Sequence, residues 1–252
     1  MTRRRTLSVR VYAPALVGKD GRTLDVIHGM EAALPGLRLA WRIPERGRPI
    51  ALSHRDAWLA EETQDGGFPL LCNGDESYPV TVSGIGTSAP FSPGGQSLFE
   101  VNAKLPLDEP VIVAAAAMLE AVAEGARSFW GRATPNAAAL DIAYQTAPTL
   151  EGPPSPRRGL PALKLCQHLR SPEIPYYLGW LNYWSAAAAQ SIGFPDPVRD
   201  AELLTRARRT PSGGWVVQLT DAPLDLDNPA HLDALKRAYE RFPEIGGRVD
   251  SS

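Results

Sequence analysis

Four histidines, His28, His54, His168 and His231, stand one to a segment along 252 residues, and none is paired with another at the spacing a metal site uses. Cys72 and Cys166 are far apart and follow no metal or redox spacing, so they predict two buried thiols and no disulfide framework. His54-Arg55-Asp56 shares three letters with a kinase catalytic loop, but the glycine loop, the strand lysine and an Asp-Phe-Gly are missing. It reads as the start of a helix. Gly84-Ile85-Gly86 is half of a dinucleotide fingerprint that lacks its third glycine and runs into Pro90 and Pro93, where phosphate binding needs a helix N-terminus; it reads as a strand end. No Gly-x-Ser-x-Gly elbow presents a serine nucleophile. Glu100 and Lys104 would share one strand face, as in a nuclease carboxylate and lysine set, yet no upstream acid completes it. Asp221, Asp225 and Asp227 lie between prolines without the glycine or distal glutamate of a calcium loop. No catalytic, metal or cofactor set is expected.

Two groups remain that suit binding to another protein. The acidic stretch Asp221, Asp225, Asp227 reads as a surface loop able to face a basic groove. Tyr176, Trp180, Tyr183 and Trp184 form the most aromatic stretch of the chain. Their apolar content suits a core, whereas Tyr and Trp also concentrate at interfaces, where one end is apolar and the other hydrogen-bonds. Both readings of Trp180, Tyr183 and Trp184 stay open.

The elements that must position these residues read as α+β, with a mixed or mainly antiparallel sheet and several helices packed on it. Leu7, Val9 and Val11 alternate as a strand; Leu24, Ile27, Met30 and Leu34 recur at helical spacing; Leu37, Leu39 and Trp41 alternate again. Ser53 is expected to cap a short helix that ends at Asp65-Gly66-Gly67. Strands follow at Phe68 to Cys72, Tyr78 to Ile85 and Leu98 to Leu105. The clearest helix carries Val111, Ala115, Met118, Leu119, Val122, Ala126 and Phe129 on one face, with Asp108 as its N-cap. Thr134-Pro135 predicts another helix, in the order cap then proline, to about Tyr144. Residues 147–161 hold a proline-rich segment that no packed element tolerates. One domain crossed by this long loop is expected, two subdomains at 1–146 and 162–252 being the alternative. Beyond it the sequence predicts a strand at Ala162 to Leu169, a short helix from Ala186 to Gln190 after Ser185, a hairpin from Glu202 to Leu219 around Pro211-Ser212-Gly213-Gly214, and a last helix from Asn228-Pro229.

Composition is that of an ordinary globular chain, with 44% hydrophobic and 21% charged residues. A formal charge of −2 argues against a nucleic-acid binder, and the only basic run is Arg3, Arg4 and Arg5, read as a solvated tail. The alternating residues after it do not form a signal peptide, and the longest apolar run, Val111 to Leu119, is too short for a membrane span. A cytoplasmic location is the expectation.

Gly179-Trp180-Leu181-Asn182-Tyr183-Trp184-Ser185 resembles the Gly-Trp-x-x-Tyr-x-Ser pattern of the immunity protein family numbered fifty-two in bacterial polymorphic toxin systems. In that family too the segment is followed by a strand pair and a C-terminal helix. The first half, to about Tyr144, resembles related myxobacterial proteins grouped as a domain of unknown function; the length of the proline-rich loop departs from the pattern. The resemblance implies an α+β protein that works without a cofactor, binds a cognate toxin, usually a nuclease of restriction-endonuclease fold, and blocks it. An enzyme of unrecognised type, with a site at the Ser92 to Gln96 loop, and an assembly partner of a secretion apparatus are the alternatives.

Overall fold

The computed structural model describes residues 5–18, 20–63 and 66–248. Arg3, Arg4 and Asp65, named above as tail and helix stop, lie outside them. Along the chain run β1 (Thr6–Pro14), α1 (Arg22–Ala33), β2 (Trp41–Arg42), β3 (Ile50–Ala51), α2 (Arg55–Glu62), β4 (Phe68–Cys72), β5 (Thr81–Thr87), β6 (Leu98–Pro106) and α3 (Glu109–Ala126). Then come β7 (Trp130–Pro135), α4 (Asn136–Thr146), β8 (Leu181–Trp184), α5 (Ala186–Ser191), α6 (Ala201–Leu204), β9 (Ala207–Arg209), β10 (Trp215–Gln218) and α7 (Pro229–Arg241). The fold is α+β: ten strands form one sheet in the order β3-β2-β4-β5-β6-β1-β7-β8-β10-β9, with every pairing antiparallel. Pairing of β7 with β8 carries the sheet across the proline-rich segment. Among the described residues no helix is long and apolar enough to cross a membrane.

Alternation along β1 sends Leu7, Val9, Val11 and Ala13 to one face, where α3 covers them, with α1 packed along α3. The helices approach closely because a Cβ at Gly29 would lie 3.0 Å from the Ala121 carbonyl oxygen, and one at Gly125 would lie 2.8 Å from the Asp25 backbone. Asp108 caps α3 as expected, its carboxylate accepting from the Val111 N–H at 3.2 Å. Ser185 and Asn228 cap α5 and α7 in the same way. The hairpin of β9 and β10 is also present, although Ala201–Leu204 ahead of it is a helical turn.

Several local expectations are corrected. α3 stops at Ala126, short of Phe129, because Arg127 takes the left-handed conformation at φ 53° and the Ser128 N–H returns to the Ala123 carbonyl at 2.8 Å. No glycine marks that stop in the sequence. The helix expected from Thr134-Pro135 is present as α4, starting at Asn136 with Pro135 in its N-cap position; the strand before it, β7, was missed, since its six residues are all buried, which erases the alternation that betrays a half-exposed strand. Residues 162–169 are not a strand; only a short 3-10 turn at Cys166–His168 breaks an irregular course. Cys72 is buried, but Cys166 is only partly so. Ser53 does not cap α2, whose N-cap position is His54.

Candidate partner-binding site

Proline carbonyls need donors that prolines cannot exchange among themselves, and Gln145 on α4 supplies them. Its Nε2 donates to the carbonyls of Pro154 and Pro156 at 3.0 Å each, while its Oε1 accepts from the Arg158 N–H at 2.8 Å. The proline-rich segment is thereby folded back on α4. This sets Arg158 between three groups: Asp141 of α4 at 3.0 Å, the Leu226 carbonyl at 3.0 Å and Asp227 at 2.7 Å. The bond to Asp227, foremost, raises the guanidinium above its ordinary pKa.

The three aspartates proposed for binding are at the surface as expected, but not equally free. Asp221 has an 88% exposed side chain and stands 3.6 Å from Arg206. Asp227 holds Arg158. Asp225 spends one carboxylate oxygen on the Asp227 N–H at 3.1 Å, and its own N–H donates to His231 Nδ1 at 3.2 Å. Asp225 and Asp227 border a cleft of about 760 Å³, shared with Asp141 and with the cations Arg5, Lys104 and Arg158. The wall is therefore of mixed charge, with acids on the C-terminal loop and α4 and cations on the strand ends and the proline-rich segment. Such a lining offers charges of both signs to whatever enters it. Among the described residues no three His, Cys, Asp or Glu are grouped to hold a metal.

Trp180, Tyr183 and Trp184 stand elsewhere. They are 2%, 2% and 1% exposed, which places them in the core and not on a recognition surface. The Trp180 Nε1–H donates to the Thr220 carbonyl at 2.8 Å, and the Tyr183 hydroxyl donates to Glu124 on α3 at 3.0 Å. Burial, with Glu124 beside it, pushes the Tyr183 pKa up to about 12. Trp184 packs edge-on against Phe194 and Phe242. Tyr176 and Tyr177 keep partial exposure and meet edge to face at 4.3 Å.

The motifs set aside as accidents fall as read. Arg55 opens α2 and pairs with Glu31 of α1, and Asp56 meets His28 at 3.0 Å, tying α1 to α2. Gly84 lies within β5, where a Cβ would strike Phe68 and Phe99 at 2.5 Å. Glu100, Asn102 and Lys104 do share a strand face: Glu100 accepts from the Asn102 side chain at 2.9 Å and stands 3.6 Å from Arg10. Arg158, which shapes the cleft, was missed; within a run of prolines nothing distinguishes it from a solvated charge.

The family described as "Domain of unknown function (DUF5953)" matches residues 18–250. No curated protein matches the chain. Among solved structures, the Pseudomonas aeruginosa T6SS protein PA0821 is similar, with a TM-score of 0.55 at 15% identity over 96% of this chain and 76% of that one. At that identity the likeness is one of fold.

Proposed function

Because the chain belongs to the DUF5953 family, whose description assigns no activity, we propose from its surface that it is an immunity-type protein that binds and neutralises a secreted toxin through the cleft bordered by Asp225 and Asp227. The observation that carries this reading is the exposed acidic loop at the mouth of the cleft: a toxin nuclease offers a basic substrate groove, and rim acids steer such a surface into contact. Asp225 contributes most, since no cation holds its carboxylate among the described residues. The aromatic resemblance at Gly179 to Ser185 is compatible with this role through the fold, as those side chains build the core that supports the loop. The reading makes the protein a binder and not an enzyme.

A second reading is favoured by the fold likeness to a T6SS protein: an assembly partner of a secretion apparatus, using the same cleft. Co-expression with the product of the adjacent gene separates the two. Restored growth of toxin-producing cells supports neutralisation; absence of rescue, with the protein recovered in a complex with secretion components, sinks it. Replacing Asp221, Asp225 and Asp227 together by Asn tests the site. The thermal midpoint should stay nearly unchanged, as exposed ion pairs contribute about 0–1 kcal/mol. Association with an inactivated toxin at low salt should slow, and its salt dependence should flatten. An unchanged association rate removes the loop from the interface.

A further inference from the structure

The sheet's second face, opposite α1 and α3, carries a row of side chains in register: Ser83, Asn102, Arg10, Arg132 and Asn182 on β5, β6, β1, β7 and β8. Its centre is unusual. Arg132 sits in the middle of a ten-stranded sheet with 5% exposure, directly opposite a second arginine, where like charges repel. Its guanidinium lies 4.5 Å from the centre of the Tyr177 ring. The Nη1 is sealed from solvent and has no hydrogen-bond partner among the described residues. Burial, foremost, holds its pKa below the ordinary value, and among the described residues no carboxylate pairs with it. The acid of this face, Glu100, stands on the far side of Arg10.

A guanidinium does not shed its proton in proteins, so Arg132 carries a buried charge that the free protein leaves without an anion. Burying an unpaired charge is costly, and a position that bears this cost in the free state is one that gains most when an anion arrives. We propose that Arg132, with Arg10 beside it, forms the binding site of a small monocarboxylate with an apolar or aromatic tail. The planar fork of a guanidinium matches a carboxylate in two parallel hydrogen bonds. Arg10 and Arg132 together with Glu100 leave one net positive charge, which suits a monoanion and not a phosphate dianion. Aromatic side chains border the guanidinium and would meet the tail: Tyr177 lies over it, and Tyr12 stacks on Trp130 with ring centroids 4.2 Å apart. On this assignment the ligand enters beside Tyr12, Tyr176 and Tyr177, the three tyrosines of this group that keep partial exposure.

The test is thermal melting of the full chain against sodium benzoate, sodium acetate and inorganic phosphate, at fixed ionic strength held with chloride, with tryptophan fluorescence as a second readout. The expected result is a saturable rise in midpoint with benzoate in the millimolar range, a smaller one with acetate and none with phosphate beyond chloride. Arg132→Met should abolish the benzoate response while melting no lower than the ligand-free wild type, because an apolar side chain of similar length relieves the unpaired charge. Arg132→Lys, which keeps the charge but loses the fork, should bind benzoate at least tenfold more weakly. A wild-type protein that shows no saturable response to either carboxylate overturns the proposal. So does a benzoate response that survives in Arg132→Met, and a phosphate response stronger than benzoate's overturns the monocarboxylate assignment.

Discussion

Trp184 meets the rings of Phe194 and Phe242 at 5.1 and 5.3 Å, and at 1% exposure nothing of it reaches solvent. Tyr183, beside it on the strand, is as deeply placed but ends in a hydroxyl that Glu124 accepts. The two residues therefore fail differently when truncated. Trp184→Ala should lower stability by about 3–5 kcal/mol, the usual cost of a large cavity. Tyr183→Phe keeps the ring and removes one hydrogen bond, so about 1 kcal/mol is expected. Denaturant unfolding of both variants checks this, and a Trp184→Ala protein with wild-type midpoint would contradict the core placement. Loss of partner binding in Trp184→Ala would then report the fold, whereas the same loss in the exposed aspartates would report contact.

Between elements, one polar tie is built on Arg22 at the start of α1. Its Nη1 donates to the carbonyls of Pro14 at the end of β1 and Ala126 at the end of α3, at 2.9 and 3.1 Å, and its Nη2 donates to the Ala15 carbonyl and to Asp20. One 6% exposed side chain thus joins a strand and two helices. The hydrogen bonds from Arg22 hold the Asp20 carboxyl below its ordinary pKa. A carboxyl depressed in the folded state takes up its proton first in the unfolded chain, so its stabilisation is full above about pH 4 and is lost as pH falls through the folded value. Asp20→Asn should therefore be destabilised against wild type at neutral pH, and the gap should close in acid. Paired urea titrations across that range provide the measurement; a gap independent of pH would remove Asp20 as the source. The sequence offers no hint of this knot, since Arg22 and Ala126 are brought together only by the crossing of α1 and α3.

At the scale of the molecule, the proline-rich segment is tied both to α4 and to the loop before α7, and Arg158 is its pin. Arg158→Ala frees Asp141, Asp227 and the Leu226 carbonyl at once. Limited proteolysis should then cut within residues 147–157 several-fold faster, with a stability loss of about 1–2 kcal/mol from hydrogen bonds to charged groups. Equal cutting rates would show that Gln145 alone holds the segment. What the sequence determined by itself is local: Asp108 as a helix cap, helices beginning after Ser185 and at Asn228-Pro229, the strands at Phe68 to Cys72 and Leu98 to Leu105, the hairpin around Gly213, and hence an α+β fold with an antiparallel sheet. Each depends on a few neighbouring residues, whose capping oxygens or alternation work whatever surrounds them. Tertiary structure alone decided that Trp130 to Pro135 is a central strand, that Trp180, Tyr183 and Trp184 turn inward, that Asp227 is held by an arginine 69 positions away, and that Arg132 lies opposite Arg10 without an acid. These are outcomes of strand order, and strand order is set by which apolar faces bury one another across the whole chain, a contest among distant segments that no short stretch of sequence records.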